Sequence, residues 1–250
     1  MLAFVAAEAR EFSGLLRHAE RVVKLDWPID FARKIWLNGR AALLVANGPG
    51  PKLAGEAVEI AKGREKLTGL VSTGFCGALD PKLKLSDIFV ASALLLPPDS
   101  TLSVGQAILP AAGIPAGLGH AGSKAGGSQD CLPHQGTLLS IDHVAVTASE
   151  KSQLRKTGAA AIEMEAAAVA AKAQEYNLPF YCIRVVTDTA DESMPLDFNA
   201  MRDSSGRFSR SKIVAAAFRS PTVFPKLIQL NNRCKNASQA LGDFIADTRF

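Results

Sequence analysis

Short apolar runs separated by polar or amphipathic stretches set the rhythm of the chain. Leu2–Ala6, Ala41–Ala46, Leu67–Thr73, Leu85–Val90, Thr137–Val146 and Phe180–Val186 carry few charges and many branched side chains. That is the pattern of strands buried on both faces. Between them, Phe12, Leu15, Leu16, Ala19, Val22 and Val23 recur at helical spacing and predict an amphipathic helix starting near Glu8. A helix is also predicted after Pro51, through about Gly63. Another is the alanine-rich run to Tyr176, stopped by Asn177-Leu178-Pro179, because Asn tolerates a left-handed cap and Pro cannot continue the turn. From Ser209 to Phe250 the chain is helical by pattern, with a seam of Leu227, Leu230, Cys234, Ala237, Leu241 and Phe244. Segment 95–136 is rich in Pro, Gly, Ala and Ser and lacks periodicity, which predicts a lid, a binding loop or a mobile segment.

The 250 residues suit one domain, with enough chain to bury a full core. Hydrophobic content of 48% with 21% charged residues is typical of globular α/β proteins, and no apolar run is long enough to span a bilayer. The N-terminal MLAFVAAEAREF turns acidic at once and lacks a basic leader region. Cys76, Cys131, Cys182 and Cys234 show neither disulfide nor metal-ligand spacing, so buried free thiols in a reducing cytoplasm are expected. His120 and His134 also lack metal spacing and are expected as exposed loop residues, so no metal site is predicted. The net charge of +4 is uneven: from Arg202 onward nine Lys/Arg face three Asp/Glu. A basic tail of this kind is either a solvated face or a contact for an anionic surface. Nucleic-acid binding is not expected, since no matching motif or interleaving of aromatic residues accompanies the charge.

Candidate chemistry concentrates between Ala159 and Glu192. Glu163 and Glu165 precede the alanine-rich helix, and Asp188 falls at the carboxyl end of the strand that follows it. In α/β sheets that rim is where ligands bind. Taken singly, the two glutamates also read as acids favoured by the helix dipole, and Asp188 as a cap. Arg184 is harder to dismiss, because a charge inside an apolar strand must be paired or used. Glu11 sits just after the first strand, at the same kind of rim.

Ile162-Glu163-Met164-Glu165-Ala166, one helix, then Leu178-Pro179-Phe180, Arg184, Thr187-Asp188, Ala190 and Asp191 resembles the nucleoside phosphorylase superfamily. By motif the resemblance is to the 5'-methylthioadenosine/S-adenosylhomocysteine nucleosidases. It implies a single three-layer α/β/α domain with a central mixed, twisted β-sheet, working as a homodimer on a small purine nucleoside without a cofactor. Ala7–Phe12 is similar to the segment that carries the family's water-activating glutamate, at Glu11. Asp188 would protonate the departing base, and Glu165 would hold the ribose hydroxyls over Met164. Gly74, Phe75 and Gly77 lie in a turn similar to the one beneath the ribose. Val144 stands where the nucleosidases carry a stacking Phe, and Phe198 matches a second family aromatic.

Breaking an N-glycosidic bond leaves positive charge on the sugar and negative charge on the base. It therefore needs a proton donor, a sugar anchor and a nucleophile. A carboxyl removed from water has a raised pKa and can serve as the donor. For the nucleophile, the purine phosphorylases hold phosphate with an Arg and a Ser where this chain has Ser72 and Phe75. Each charge-assisted hydrogen bond lost costs about 1.5–3 kcal/mol, which favours water over phosphate as co-substrate. Arg184 would orient Glu11 or the water. The overall length and Gly-rich middle also resemble the hopanoid-associated phosphorylases, which implies a lipid-bearing nucleoside and peripheral membrane contact through the basic C-terminal segment. A non-catalytic nucleoside-binding relative is the remaining alternative class.

Overall fold

A computed structural model describes residues 1–96, 109–110, 133–219 and 223–250. In chain order the strands are β1 (Leu2–Ala6), β2 (Arg21–Lys24), β3 (Phe31–Leu37), β4 (Arg40–Ala46), β5 (Gly69–Ala78), β6 (Ile88–Leu95), β7 (Leu109–Pro110), β8 (His134–Ser140), β9 (Ala161–Glu163) and β10 (Phe180–Asp188). The helices are α1 (Pro51–Arg64), α2 (Ala148–Arg155), α3 (Ala166–Glu175), α4 (Arg210–Arg219) and α5 (Val223–Asp247).

Strand periodicity sends buried side chains to both faces of the sheet. Ala3 and Val5 of β1, with Leu43 and Val45 of β4, pack on one face against Ala54, Ala57 and Ala61 of α1 and Val169 and Ala173 of α3. Phe4, Ala6, Leu44 and Ala46 turn to the other face, where Ala237, Leu241 and Ile245 of α5 cover them. Successive side chains point to opposite faces, so runs that are apolar throughout need a helical layer on each side. The result is the expected three layers around a mixed sheet.

Part of that sheet closes on itself. β5 pairs with β10 in parallel, β10 with β6 antiparallel, β6 with β8 in parallel, β8 with β9 in parallel, and β9 returns antiparallel to β5. The N-terminal half of β5 also continues through β1, β4, β3 and β2 as an open wing. The parallel strands β4, β1, β5 and β10 end on the same rim, which gathers the segments after Ala6, Ala46 and Val186.

Several local expectations are corrected. The predicted amphipathic helix from Glu8 is two 3₁₀ turns, Ala9–Phe12 and Leu15–Arg17, followed by β2. Tertiary contact overrides the helical spacing: the Gly14 amide donates to the Ser238 hydroxyl at 3.1 Å, and a side chain at Gly14 would meet the Ser238 carbonyl. Val22 and Val23 instead join the β3 edge. β5 does not stop at a glycine turn but runs to Ala78, because β10 and β9 keep pairing with it. β8 ends at Ser140, short of Val146, and the backbone of Val144 is held by the Asn199 amide instead. Of segment 95–136, Leu95 belongs to β6 and His134–Gly136 to β8, with His134 paired to Asp87 at 3.1 Å. Most of the remainder, including His120 and Cys131, lies outside the described residues. Cys76, Cys182 and Cys234 are buried free thiols.

Candidate active site

Three carboxyl groups from distant parts of the chain line one cavity of about 160 Å³ at the strand-end rim: Glu11, Glu165 and Asp188. Each is at most 5% exposed. Glu11 follows β1 in the first 3₁₀ turn. Its Oε2 accepts from the Glu8 amide and its Oε1 from the Phe75 amide, both at 2.8 Å. Gly74 makes this possible: at φ +126° its missing side chain would lie 2.4 Å from Glu11 Oε1. Gly74 therefore makes room for Glu11, and its neighbours Phe75 and Gly77 line the cavity. Burial raises the Glu11 pKa, while the two amides and Arg184 pull it back.

Glu165 stands at the N-terminus of α3. Its Oε1 accepts from the Gly50 amide at 2.8 Å, and its Oε2 lies 3.6 Å from Arg184 Nη1. Burial first, then the neighbouring Glu163, pushes its carboxyl up to about 8. Asp188 ends β10. Thr187 Oγ1 donates to its Oδ1 at 3.0 Å, Lys151 donates to its Oδ2, and Gly77 leaves room for that oxygen. Burial raises its pKa and Lys151 opposes the rise.

Arg184, expected to orient Glu11 or the water, lies behind the cavity wall. It has no solvent exposure and is not among the cavity-lining residues. Nη1 donates to the Thr73 carbonyl at 2.9 Å, and Nη2 to the Ser72 hydroxyl at 2.6 Å and to Glu163 Oε2. Glu163 lines the cavity, and its Oε2 also caps α3 through the Glu165 and Ala166 amides, both at 2.8 Å. The pair is a buried brace, with Glu163 in the wall and Arg184 behind it.

The apolar lining includes Phe75, Val144, Met164 and the backbone of Gly77. Phe208 lines the cavity, and Phe198 packs edge-on against it with ring centroids 6.0 Å apart. Sequence reasoning missed Phe208, Met194 and Lys151, all lining residues. Phe208 and Met194 lie in irregular segments with no periodicity to announce them. Lys151 lies in the polar helix ASEKSQLR and looks like a surface lysine, yet it is 1% exposed. Thr147-x-x-Glu150 could have disclosed the start of α2, since Thr147 accepts from the Glu150 amide at 3.1 Å. Among the described residues, no group of three or more His, Cys, Asp or Glu is arranged to hold a metal.

The molecule is thus a mixed sheet with helices on both faces, partly closed into a ring and carrying a carboxyl-lined cavity on its strand-end rim. The sequence profile of the phosphorylase superfamily matches residues 29–217, so the chain belongs to that superfamily. Among solved structures it is similar to the 5'-methylthioadenosine/S-adenosylhomocysteine nucleosidase of Neisseria meningitidis in complex with methylthio-immucillin-A. The identity is 20%, the TM-score 0.68, and the match covers 98% of this chain and 96% of that one. It is also similar to the S-adenosylhomocysteine nucleosidase of Streptococcus pyogenes in complex with 5-methylthiotubericidin, at 18% identity, TM-score 0.67 and coverage of 100% and 97%. The futalosine hydrolase of Helicobacter pylori matches at 16% identity, TM-score 0.64 and coverage of 98% and 95%.

Proposed function

We propose that the protein cleaves the N-glycosidic bond of a 5'-substituted purine nucleoside, with water as nucleophile and adenine as the departing base. The observation that carries this reading is the shared cavity of Glu11, Glu165 and Asp188, beside Met164 and Phe75. Asp188 gives a proton to a ring nitrogen of the base as the bond electrons pass to it. Such general acid catalysis typically contributes about 10²–10⁴-fold. Glu165 accepts hydrogen bonds from the ribose hydroxyls, and Glu11 takes a proton from the water that attacks the sugar.

Charge favours water over phosphate. The cations lining the cavity among the described residues are Arg10 and Lys151. Lys151 is bound to Asp188, and Arg10 is half-exposed and paired with Glu8. Ser72 is turned away into its bond with Arg184. Phosphate entering this wall would meet several carboxyl groups and, among the described residues, no unpaired donor cation, whereas a neutral water meets a base.

The same reading includes a homodimer and peripheral contact of the C-terminal segment with an anionic membrane. Val214, Phe218, Phe224 and Ile228 are exposed there in a stretch rich in Lys and Arg. Light scattering tests the dimer, and co-sedimentation with anionic vesicles tests the contact. No described helix is long and apolar enough to cross a membrane.

The direct test is base release from a panel of adenosines differing at the 5' position, including long apolar tails, with and without phosphate. Free adenine and free sugar at a rate indifferent to phosphate support hydrolysis. A sugar 1-phosphate product formed only with phosphate overturns it.

A further inference from the structure

Lys151 is a heavily committed buried group that the proposed chemistry does not use. It projects from α2 and is buried to 1% exposure. Its ammonium nitrogen donates to Asp188 Oδ2, to the Thr189 carbonyl at 2.8 Å and to the Glu192 carbonyl at 3.0 Å. Three acceptors match the three N–H bonds of an ammonium group, so the charged form is fully satisfied where it stands. A buried lysine costs several kcal/mol to desolvate, and a carboxylate partner offsets that cost only when the geometry is good. Ordinary core packing would be served by an apolar side chain at this place. The expense falls beside the carboxyl group assigned to protonate the base.

We infer that Lys151 is a positioning residue for base release: its ammonium fixes the Asp188 carboxyl in the cavity wall and makes it a stronger acid. The inference rests on the reading of Asp188 as the proton donor. The protonated Asp188 passes its proton to a ring nitrogen of the base while the electrons of the sugar–base bond move onto the base. Asp188 is left as a carboxylate next to a positive charge already in place. An opposite charge within ~4–6 Å lowers a carboxyl pKa by about 1–3 units. Lys151 thus favours the product of the proton transfer, and it also sets the pH above which the acid form is exhausted.

Other groups near this pair are few. Thr187 donates to Asp188 Oδ1 from β10, and Glu192 adds negative charge but is itself paired with Arg233 at 2.6 Å. Asp191 bonds the Thr189 hydroxyl at 2.7 Å. The Cys76 thiol of β5 and the Cys234 thiol of α5 are both held neutral by burial. Among the described residues, Lys151 is therefore the cation in direct contact with Asp188.

The test compares wild type with Lys151→Met and Lys151→Arg. It reads the pH profile of kcat/KM for adenine release and, separately, the titration of the Asp188 carboxyl carbon by 13C NMR. In Lys151→Met the alkaline limb and the carbon titration both move up by about 1–3 pH units. The rate on the low-pH plateau falls, because the acid is weaker. Lys151→Arg keeps both midpoints near wild type. A fall in rate with neither midpoint moved means that Lys151 only packs the wall, and overturns the inference. Should Lys151→Met fail to fold, Lys151→Gln, which can still donate to a carbonyl, carries the same comparison. If no purine nucleoside is turned over by wild type, the functional reading fails, while the carbon titration still decides whether Lys151 controls Asp188.

Discussion

Carboxyl groups crowded into one nearly dry wall repel one another, so each needs its own device to stay. Glu11 has two backbone amides, Glu165 has the Gly50 amide and the edge of Arg184, and Asp188 has Lys151. Arg184 is the shared support, bonded to Glu163 and close to Glu165. Removing one partner of a buried ion pair typically costs about 3–5 kcal/mol, because the other charge is left unpaired. Arg184→Met is expected to lose stability on that scale in chemical denaturation, before any question of activity arises. The pH dependence follows from Glu165, whose carboxyl is raised to about 8 by burial and Glu163. Between the usual carboxylate range and that value, the folded protein keeps a proton that the unfolded chain has released. This group therefore takes stability away as pH rises across the window. The melting temperature is expected to fall between about pH 5 and pH 8, and Glu165→Gln to flatten the slope, as thermal melts will show. Glu11, Glu165 and Asp188, which line one cavity, were singled out in the sequence by their places beside apolar strands and the alanine-rich helix together with the resemblance to the superfamily. Lys151 was not, since its burial depends on where α2 docks.

Between elements, the turn after β1 approaches α5 closely. Gly14 and Gly242 face each other so closely that a side chain at Gly242 would lie 2.2 Å from the Gly14 carbonyl carbon. Ser238 ties the same turn down by bonding the Gly14 amide and the Arg10 and Glu11 carbonyls. Since this turn carries Glu11, α5 fixes the position of one wall of the cavity. Gly242→Ala is expected to destabilise by at least the ~1–3 kcal/mol of an overpacked core and to lower turnover with it, measurable by denaturation and assay in parallel. This contact also explains what the sequence concealed. The spacing of Phe12, Leu15 and Leu16 fits a helix, but a glycine chosen for proximity to α5 breaks it into 3₁₀ turns. The buried strands β1, β4 and β10 were readable because both their faces are apolar. The left-handed Asn177, at φ 51°, was readable because its chemistry is local. The end of β8 was not, because a distant side chain, Asn199, takes over its hydrogen bonds.

Across the whole molecule, closure of β5, β10, β6, β8 and β9 into a ring sets the site. It places Glu163 of β9 against Arg184 of β10 and brings Gly77 beneath Asp188, although these residues are far apart in sequence. The open wing delivers Glu11 and Gly50 to the same rim from β1 and β4. Layering and a mixed sheet could be expected from the alternation of elements, whereas ring closure depends on long-range pairing that no local pattern encodes. The ring and wing converge on one claim: a single cavity holds both the acid for the base and the base for the water. Adenine release by wild type, Asp188→Asn and Glu11→Gln, each with its nucleoside affinity measured by calorimetry, tests that claim most directly. The account predicts turnover lost by about 10²-fold or more in both variants, with affinity largely kept. Wild-type turnover in either variant would contradict it.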